Sequence, residues 1–192
     1  MFQLINFVSL SSIPAADVEY LLDLAFGEDR RERTAYKLRA GTEPIADLSF
    51  AAVDDGLIVG SMQCWPVQLT GDGGAAVPLI LVGPVAVHPD RQRAGIGRLM
   101  MEEMLGRADR GHSDPMILIG DAPYYDRLFG FSARHTGGWT LPGPVERDRL
   151  LARLRRDETL PATGALGPRR AGNPGLVSSG CAGDPPLVAD RD

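Results

Sequence analysis

Apolar positions along this chain change period in a way that lays out an α/β domain. Phe2 to Val8 reads as an edge strand, and the apolar residues of Ala15 to Phe26 recur at helical spacing, which predicts an amphipathic helix. Arg31 to Arg39 is predicted as a second helix, stopped by Gly41. Leu48–Asp54 and Leu57–Thr70 carry strand-forming residues and flank Asp55-Gly56, a dipeptide suited to the positive φ angles of a type I′ hairpin turn. A glycine-rich turn at Gly71–Gly74 leads to a third strand, Leu79–Val87. A helix over 97–110, a short buried strand over 116–121 and a helix over 123–129 ending in Gly130-Phe131 complete the order β-α-α-β-β-β-α-β-α within residues 1–142.

After residue 142 the pattern weakens. In LPGPVERDRLLARLRRDETL, Leu150, Leu151 and Leu154 fit a helical stripe, so residues 143–163 complete the domain either as a charged helix or as a last strand. Residues 164–192 are dominated by Gly, Pro, Ala and Arg and read as a disordered tail.

The richest chemistry lies between the third strand and the helix after it. In LILVGPVAVHPDRQRAGIG, residues 79–97, an apolar strand passes into a turn pinned by Gly95 and Gly97, and RLMMEEMLGRA continues as a helix. The first turn of a helix has unpaired backbone N–H groups and the positive end of the macrodipole, and glycine lets a bulky anion approach the main chain. Two common phosphate loops do not fit. No Lys-Ser/Thr closes the turn, and Gly95 and Gly97 supply only G-x-G, not G-x-G-x-x-G.

The segment Gln92-Arg93-Ala94-Gly95-Ile96-Gly97 resembles the pyrophosphate loop of the GCN5-related N-acetyltransferase (GNAT) superfamily, Gln/Arg-x-x-Gly-x-Gly/Ala, and Val85-Ala86-Val87-His88-Pro89 matches that family's preceding strand end. Downstream, Pro115 to Asp121 followed by Ala122-Pro123-Tyr124-Tyr125-Asp126-Arg127-Leu128-Phe129-Gly130-Phe131 is similar to the family's fifth strand and short helix. The resemblance covers roughly three quarters of the chain. It implies an acyl-CoA N-acyltransferase fold, a mixed central sheet flanked by helices. It also implies an acetyl-CoA-dependent N-acetyltransferase acting by direct transfer to a primary amine of a small molecule, protein or peptide.

The same resemblance assigns roles. Gln92, Arg93, Ala94, Gly95, Ile96, Gly97 and Arg98 would hold the pyrophosphate of acetyl-CoA, and Val85, Ala86 and Val87 would run beside its pantetheine arm, with a main-chain N–H polarising the thioester carbonyl. Tyr125 is the candidate acid for the departing thiolate, with Tyr124 as the alternative, because Tyr125 stands five residues before Gly130 where the family has four. Leu79–Val87 has no carboxylate for the amine's proton, which leaves a water chain, His88 or Asp121. His88 also reads as a strand-end corner and Asp121 as a helix cap. Acceptor recognition would fall to Phe26, Gly27, Glu28 and the helix after them, Trp65 and the loop Gln68–Ala76; Phe26 and Trp65 also read as core.

Composition narrows the alternatives. The net charge of −5 gives no general basic face for nucleic acid, and the arginines at 30–33 and 147–156 read as solvated helix faces, while Arg93 and Arg98 flank the loop. Two cysteines, Cys64 and Cys181, form neither a disulfide framework nor a metal site. Short, interrupted apolar runs and an N-terminal FQLINFVSL without a basic flank predict a cytoplasmic protein with no membrane contact. An open sheet edge offers a route to a homodimer through the last strand. A non-catalytic acyl-CoA-binding module would keep the same loop without needing the tyrosine, and a nucleotide-binding regulator would use only the glycine turn.

Overall fold

The computed structural model describes residues 5–111, 114–155 and 158–170. Among these residues eight strands form one sheet: β1 Asn6–Ser9, β2 Phe50–Asp54, β3 Leu57–Thr70, β4 Ala76–Val87, β5 Met116–Ile119, β6 Gly138–Thr140, β7 Leu150–Arg153 and β8 Thr163–Pro168. The helices are α1 Ala15–Phe26, α2 Thr34–Leu38, α3 Ile96–Gly111 and α4 Ala122–Phe129. The sheet runs β1-β2-β3-β4-β5-β7, with β8 against β3 and β6 against β8, and is antiparallel except for the parallel pairs β4–β5 and β6–β8. It is the mixed sheet flanked by helices that the family resemblance implies, on the α/β order that the hydrophobic pattern predicts.

Side-chain alternation builds the two sides of the core. On β4, Leu79 and Leu81 pack with Ile117 and Trp139, whereas Ile80 and Val82 pack with Met100, Met104 and Phe131. Helix α3 covers the second face, and α1 lays Val18, Leu21 and Leu22 over Ala86. Asp55 and Gly56 adopt φ of 48° and 78°, the left-handed values a type I′ turn needs.

Two irregularities in β4 shape the site. Register with β3 shifts between Met62↔Val85 and Cys64↔Val82, so Gly83 and Pro84 together stand opposite the single residue Gln63, a bulge. The parallel pairing with β5 covers only Ile80↔Met116 and Leu81↔Ile117, after which the two strands part.

Several expectations change. The helix expected over 31–39 is split: a 3-10 turn spans Glu28–Glu32, Arg33 is extended with ψ 149°, and α2 begins at Thr34. The 143–163 element resolves as a strand, β7, because Leu150, Leu151 and Ala152 are all buried, alternating between the two sides of the sheet beside β5. The tail expected from residue 164 is corrected over 164–168. There β8 pairs with β3 at Val67–Thr70 and with β6, and Leu166 is buried. Residues 171–192 of that expected tail lie outside the described residues. The last strand expected from residues 143–163, β7, stands at the end of the sheet order beside β5.

Candidate active site

The turn before α3 is assembled from local constraints. After β4, the His88 side chain accepts a hydrogen bond from the Asp90 backbone N–H at 3.3 Å and caps the 3-10 turn Pro89–Arg91. His88 thus forms the strand-end corner, and it is not among the residues lining the cleft described below. Arg91 is tied at 3.0 Å to Asp54, which is 4% exposed, so the turn is anchored to the β2–β3 hairpin. Gln92 is extended, Arg93 and Gly95 adopt φ of 67° and 81°, and α3 starts at Ile96. The first α-helical bond of the region runs from Leu99 N–H to Gly95 C=O at 3.0 Å, which leaves the N–H groups before it without helical partners.

This loop has room for an anion. A Cβ built on Gly95 meets nothing within 4 Å, and one on Gly97 would rest 3.6 Å from Val87 Cγ2, so the loop adjoins the end of β4. Gln92, Arg93, Ala94 and Arg98 are exposed, while Ile96 is buried and anchors α3. Arg98 is ion-paired with Glu102 at 2.8 Å, and Arg93 has no ion-pair partner among the described residues.

The parting of β4 and β5 opens a cleft of about 1030 Å³. Its floor is Leu81, Val82, Gly83, Pro84, Val85 and, from β5, Leu118. Backbone directions along β4 show what faces it. His88 N–H donates to Val59 C=O on β3, and N–H directions alternate along a strand, so Val87 and Val85 point their main-chain groups away from β3, toward the unpaired side. Ala86 does not join them. It pairs with Ser61 of β3, and its side chain is fully buried under α1.

Helix α4 delivers the tyrosines. Asp121 caps it by accepting from Tyr124 N–H at 3.2 Å, and Gly130 closes it in a left-handed conformation with φ 72°. Asp121 is thus the helix cap. Tyr125 lines the cleft beside Ile119, whereas the Tyr124 ring stands edge-on to Tyr125 and Phe129, with centroids 5.0 and 5.9 Å away. Burial, followed by the proximity of Tyr124 and Asp121, pushes the Tyr125 hydroxyl above its ordinary pKa, so it carries its proton at neutral pH.

The opposite wall comes from Phe26 and the segment after Glu28, where the resemblance put acceptor recognition. Phe26, Arg30, Thr34, Tyr36 and Arg39 line it, and residues 144–149 close over it, held by a 2.8 Å hydrogen bond from Thr34 Oγ1 to Pro144 C=O. Arg30, placed by composition on a solvated face, is 1% exposed: it donates to Glu19 at 2.5 Å, to Asp23 at 2.7 Å and to the Tyr36 hydroxyl. Burial opposes its charge, but these hydrogen bonds outweigh burial and hold the guanidinium above its usual range. The available signal was on α1, where Glu19 and Asp23 at i,i+4 put two carboxylates on one face. Glu32 and Glu146 are the carboxylates lining the cleft among the described residues. Of the expected acceptor contacts, Phe26 and the segment after Glu28, with Arg30, Thr34, Tyr36 and Arg39, line the cleft, Gly27 and Glu28 do not, and Trp65 reaches the site only as a support beneath Arg39. The Gln68–Ala76 turn lies instead against β8, where Thr163 Oγ1 donates to Asp72 at 2.6 Å. Cys64 is buried among core residues, and burial pushes its thiol pKa up.

A glycine turn at a helix start, a strand parted from its neighbour and a tyrosine in the gap define a nucleotide-thioester type of site on a mixed sheet. Comparison with known proteins agrees. Residues 15–133 match the acetyltransferase (GNAT) domain family, and the chain belongs to that family. It is 30% identical over 115 residues to an uncharacterized N-acetyltransferase of Streptomyces avermitilis, an alignment covering 59% of this chain and 26% of that protein's length. The chain thus spans about a quarter of that relative.

Two solved structures share the fold. The GNAT family N-acetyltransferase YhbS from Escherichia coli, in complex with CoA, superposes with a TM-score of 0.65 at 22% identity, covering 88% of this chain and 92% of that one. A GNAT family acetyltransferase from Brucella melitensis, in complex with acetyl-CoA, gives 0.58 at 24% identity, covering 88% and 97%. No described helix is long and apolar enough to cross a membrane.

Proposed function

We propose that this protein transfers an acetyl group from acetyl-CoA to a primary amine by direct attack within the β4–β5 cleft. The observation that carries the proposal is the coincidence of three features on one path: the open Gly95 turn, the outward-facing main chain of Val85 and Val87, and Tyr125 in the cleft. The residues present fit acetyl-CoA. Free N–H groups at the start of α3, with Gln92, Arg93 and Arg98 around them, suit a pyrophosphate, and Val85 and Val87 offer main-chain partners to the amides of an extended arm.

Acetyl-CoA would supply the activated acetyl thioester; the chain supplies placement, a polarising donor and the proton inventory. A main-chain N–H near Val85 or Val87 stabilises the negative charge that develops on the carbonyl oxygen as the amine nitrogen forms its new bond to carbon. The carbon–sulfur bond then breaks, and the Tyr125 hydroxyl gives its proton to the leaving sulfur, a role that its raised pKa suits by keeping it protonated beforehand. The amine gives up one proton, and Glu32 and Glu146 are where it goes, directly or along water. Tyr124, set against Phe129, is the support for Tyr125 in this reading.

Isothermal titration of acetyl-CoA and CoA into the wild type and Gly95→Trp tests the reading. Binding in the micromolar range that Gly95→Trp abolishes, followed by thiol release in an amine screen, is the expected result. Wild-type protein that binds neither ligand overturns it. Binding without thiol release from any amine, with Tyr125→Phe indistinguishable from wild type, moves the protein to the non-catalytic class.

A further inference from the structure

The cleft holds two buried arginines whose charges are handled differently. Arg30 spends its donors on Glu19, Asp23 and Tyr36. Arg39, nine residues later and 8% exposed, has no carboxylate within ion-pair distance among the described residues. Its guanidinium stacks on the Tyr36 ring at 3.7 Å and lies 4.6 Å from the Trp65 ring centroid, and its hydrogen bond to a neighbouring side chain runs from Nη1 to Gln63 Oε1 at a long 3.3 Å.

The aromatic stack and Gln63 fix the plane of this fork without neutralising it. A buried guanidinium has five N–H donors, and leaving them unpaired in a dry core is costly. The buried side-chain polar atoms that lack partners among the described residues are Ser61 Oγ and Trp65 Nε1, and no Arg39 nitrogen is among them. The remaining Arg39 donors therefore open where Arg39 is accessible, into the cleft it lines. Gln63 also sets the location, because it stands opposite the Gly83–Pro84 bulge, next to the β4 segment that the thioester would follow.

We infer that Arg39 receives a carboxylate of the acceptor, so that the amine acetylated in this cleft belongs to an amino acid or a similar small carboxylate-bearing amine. The inference rests on the proposed function. A planar carboxylate matches a fixed guanidinium fork with two parallel N–H···O bonds and carries one negative charge for this buried cation, whereas Arg33 and Arg149, which also line the cleft, are exposed to solvent. A dianionic phosphate would place a second charge near Glu32 and Glu146, which line the same cleft.

The test reads acceptor preference and acetyl-CoA binding separately. A panel of L-amino acids is assayed by thiol release, each beside its carboxamide, its decarboxylated amine and the aminophosphonate of the same skeleton. Binding of the corresponding N-acetyl amino acids and their carboxamides to the CoA-loaded protein is measured by calorimetry, which reports whether or not turnover occurs. Carboxylates are expected to exceed their carboxamides by about 10- to 100-fold in kcat/KM or affinity, the scale of a hydrogen-bonded charge. Arg39→Gln is expected to erase that ratio through KM, with Arg39→Lys keeping part of it and acetyl-CoA affinity holding in both.

Wild-type protein that prefers the carboxamide, the decarboxylated amine or the phosphonate overturns the inference without any variant, and so does a CoA-loaded protein that binds no carboxylate of the panel. An Arg39→Gln variant that lowers carboxylate and neutral acceptors by the same factor assigns Arg39 a purely structural role. Failure of acetyl-CoA itself to bind is a different result and removes the proposed function with it.

Discussion

Gly120→Ala tests the role of Tyr125 without touching Tyr125. Gly120 follows β5, and its N–H donates to Arg149 C=O at 2.9 Å. A Cβ at this position would lie 2.5 Å from Tyr125 Cε2, 2.8 Å from Cδ2 and 3.0 Å from Leu118 Cδ1. Gly120 is not among the residues with positive φ, so alanine is acceptable to the backbone and the conflict is confined to side chains. Carbon atoms settle about 3.5–4.0 Å apart, so the ring has to retreat by roughly 1 Å. Tyr124, Phe129 and Phe131, with ring centroids 5.0, 6.1 and 6.4 Å from that of Tyr125, resist the movement, and overpacking of this kind costs about 1–3 kcal/mol.

A displacement near 1 Å of a group that must meet a leaving atom costs on the order of 100-fold in rate. The expected phenotype is therefore a kcat lowered by about 10- to 100-fold with acetyl-CoA affinity retained, since the pyrophosphate loop is built from other elements. Thiol release at saturating acetyl-CoA reads the rate, calorimetry reads the affinity, and a thermal melt confirms the fold. Because alanine acts through the tyrosine, Gly120→Ala/Tyr125→Phe should be no slower than Tyr125→Phe alone. A Gly120→Ala enzyme running at the wild-type rate, or a double variant in which both losses multiply, would refute Tyr125 as the proton donor.

Further expectations bear on proton inventory, loop anchoring and the C-terminal strands. With its pKa raised by burial and by Tyr124 and Asp121, Tyr125 is active as the protonated acid and loses that form only as pH rises beyond the ordinary tyrosine value of about 10. A pH–kcat profile should hold level to that point, and an alkaline fall beginning below pH 9 in the wild type that Tyr125→Phe abolishes would contradict the raised pKa. Asp54→Ala removes the buried end of the 3.0 Å pair with Arg91 and should cost about 1–3 kcal/mol in urea unfolding while weakening acetyl-CoA binding. Unchanged stability would show that the hairpin does not anchor the loop. Ending the chain after residue 162 strips β8 from β3 and β6 and uncovers Val67 and Leu69, so the melting temperature should fall by several degrees, and an unchanged melt would return 163–168 to the status of a tail.

How far the sequence could be read depended on whether a residue's partners were local. Ala15–Phe26, the Asp55-Gly56 turn and the capped helix Ala122–Phe129 follow from periodicity and capping within a few residues, and they fold as expected. β6 and β8 were illegible because their reasons are distant. Gly138–Thr140 is only three residues long and Thr163–Pro168 is mostly Gly, Ala and Pro, and they are strands because they pair with each other and β8 pairs with β3. Trp139 Nε1 reaches Pro161 C=O at 2.8 Å across this unit, a contact between residues twenty-two apart. The same limit hid Arg30, which looks like part of a surface charge run until α1 supplies its carboxylates.

The proposed pantetheine track, in contrast, turns on one inserted residue that the sequence displays openly. Ile80 N–H donates to Pro115 C=O on the β5 side, whereas His88 N–H donates to Val59 C=O on the β3 side. In an unbroken strand, residues an even number apart point their N–H groups the same way. The reversal is the work of the Gly83–Pro84 bulge, which adds one residue to β4 opposite Gln63. Without it, positions 84 and 86 would face the gap, and Pro84 has no N–H to offer there. With it, Val85 and Val87 carry free main-chain groups to the open side while their side chains stay in the same core as Val82 and Met100. A Gly-Pro step inside an otherwise continuous apolar run is thus how this sheet stops pairing with itself and turns a strand edge toward a ligand.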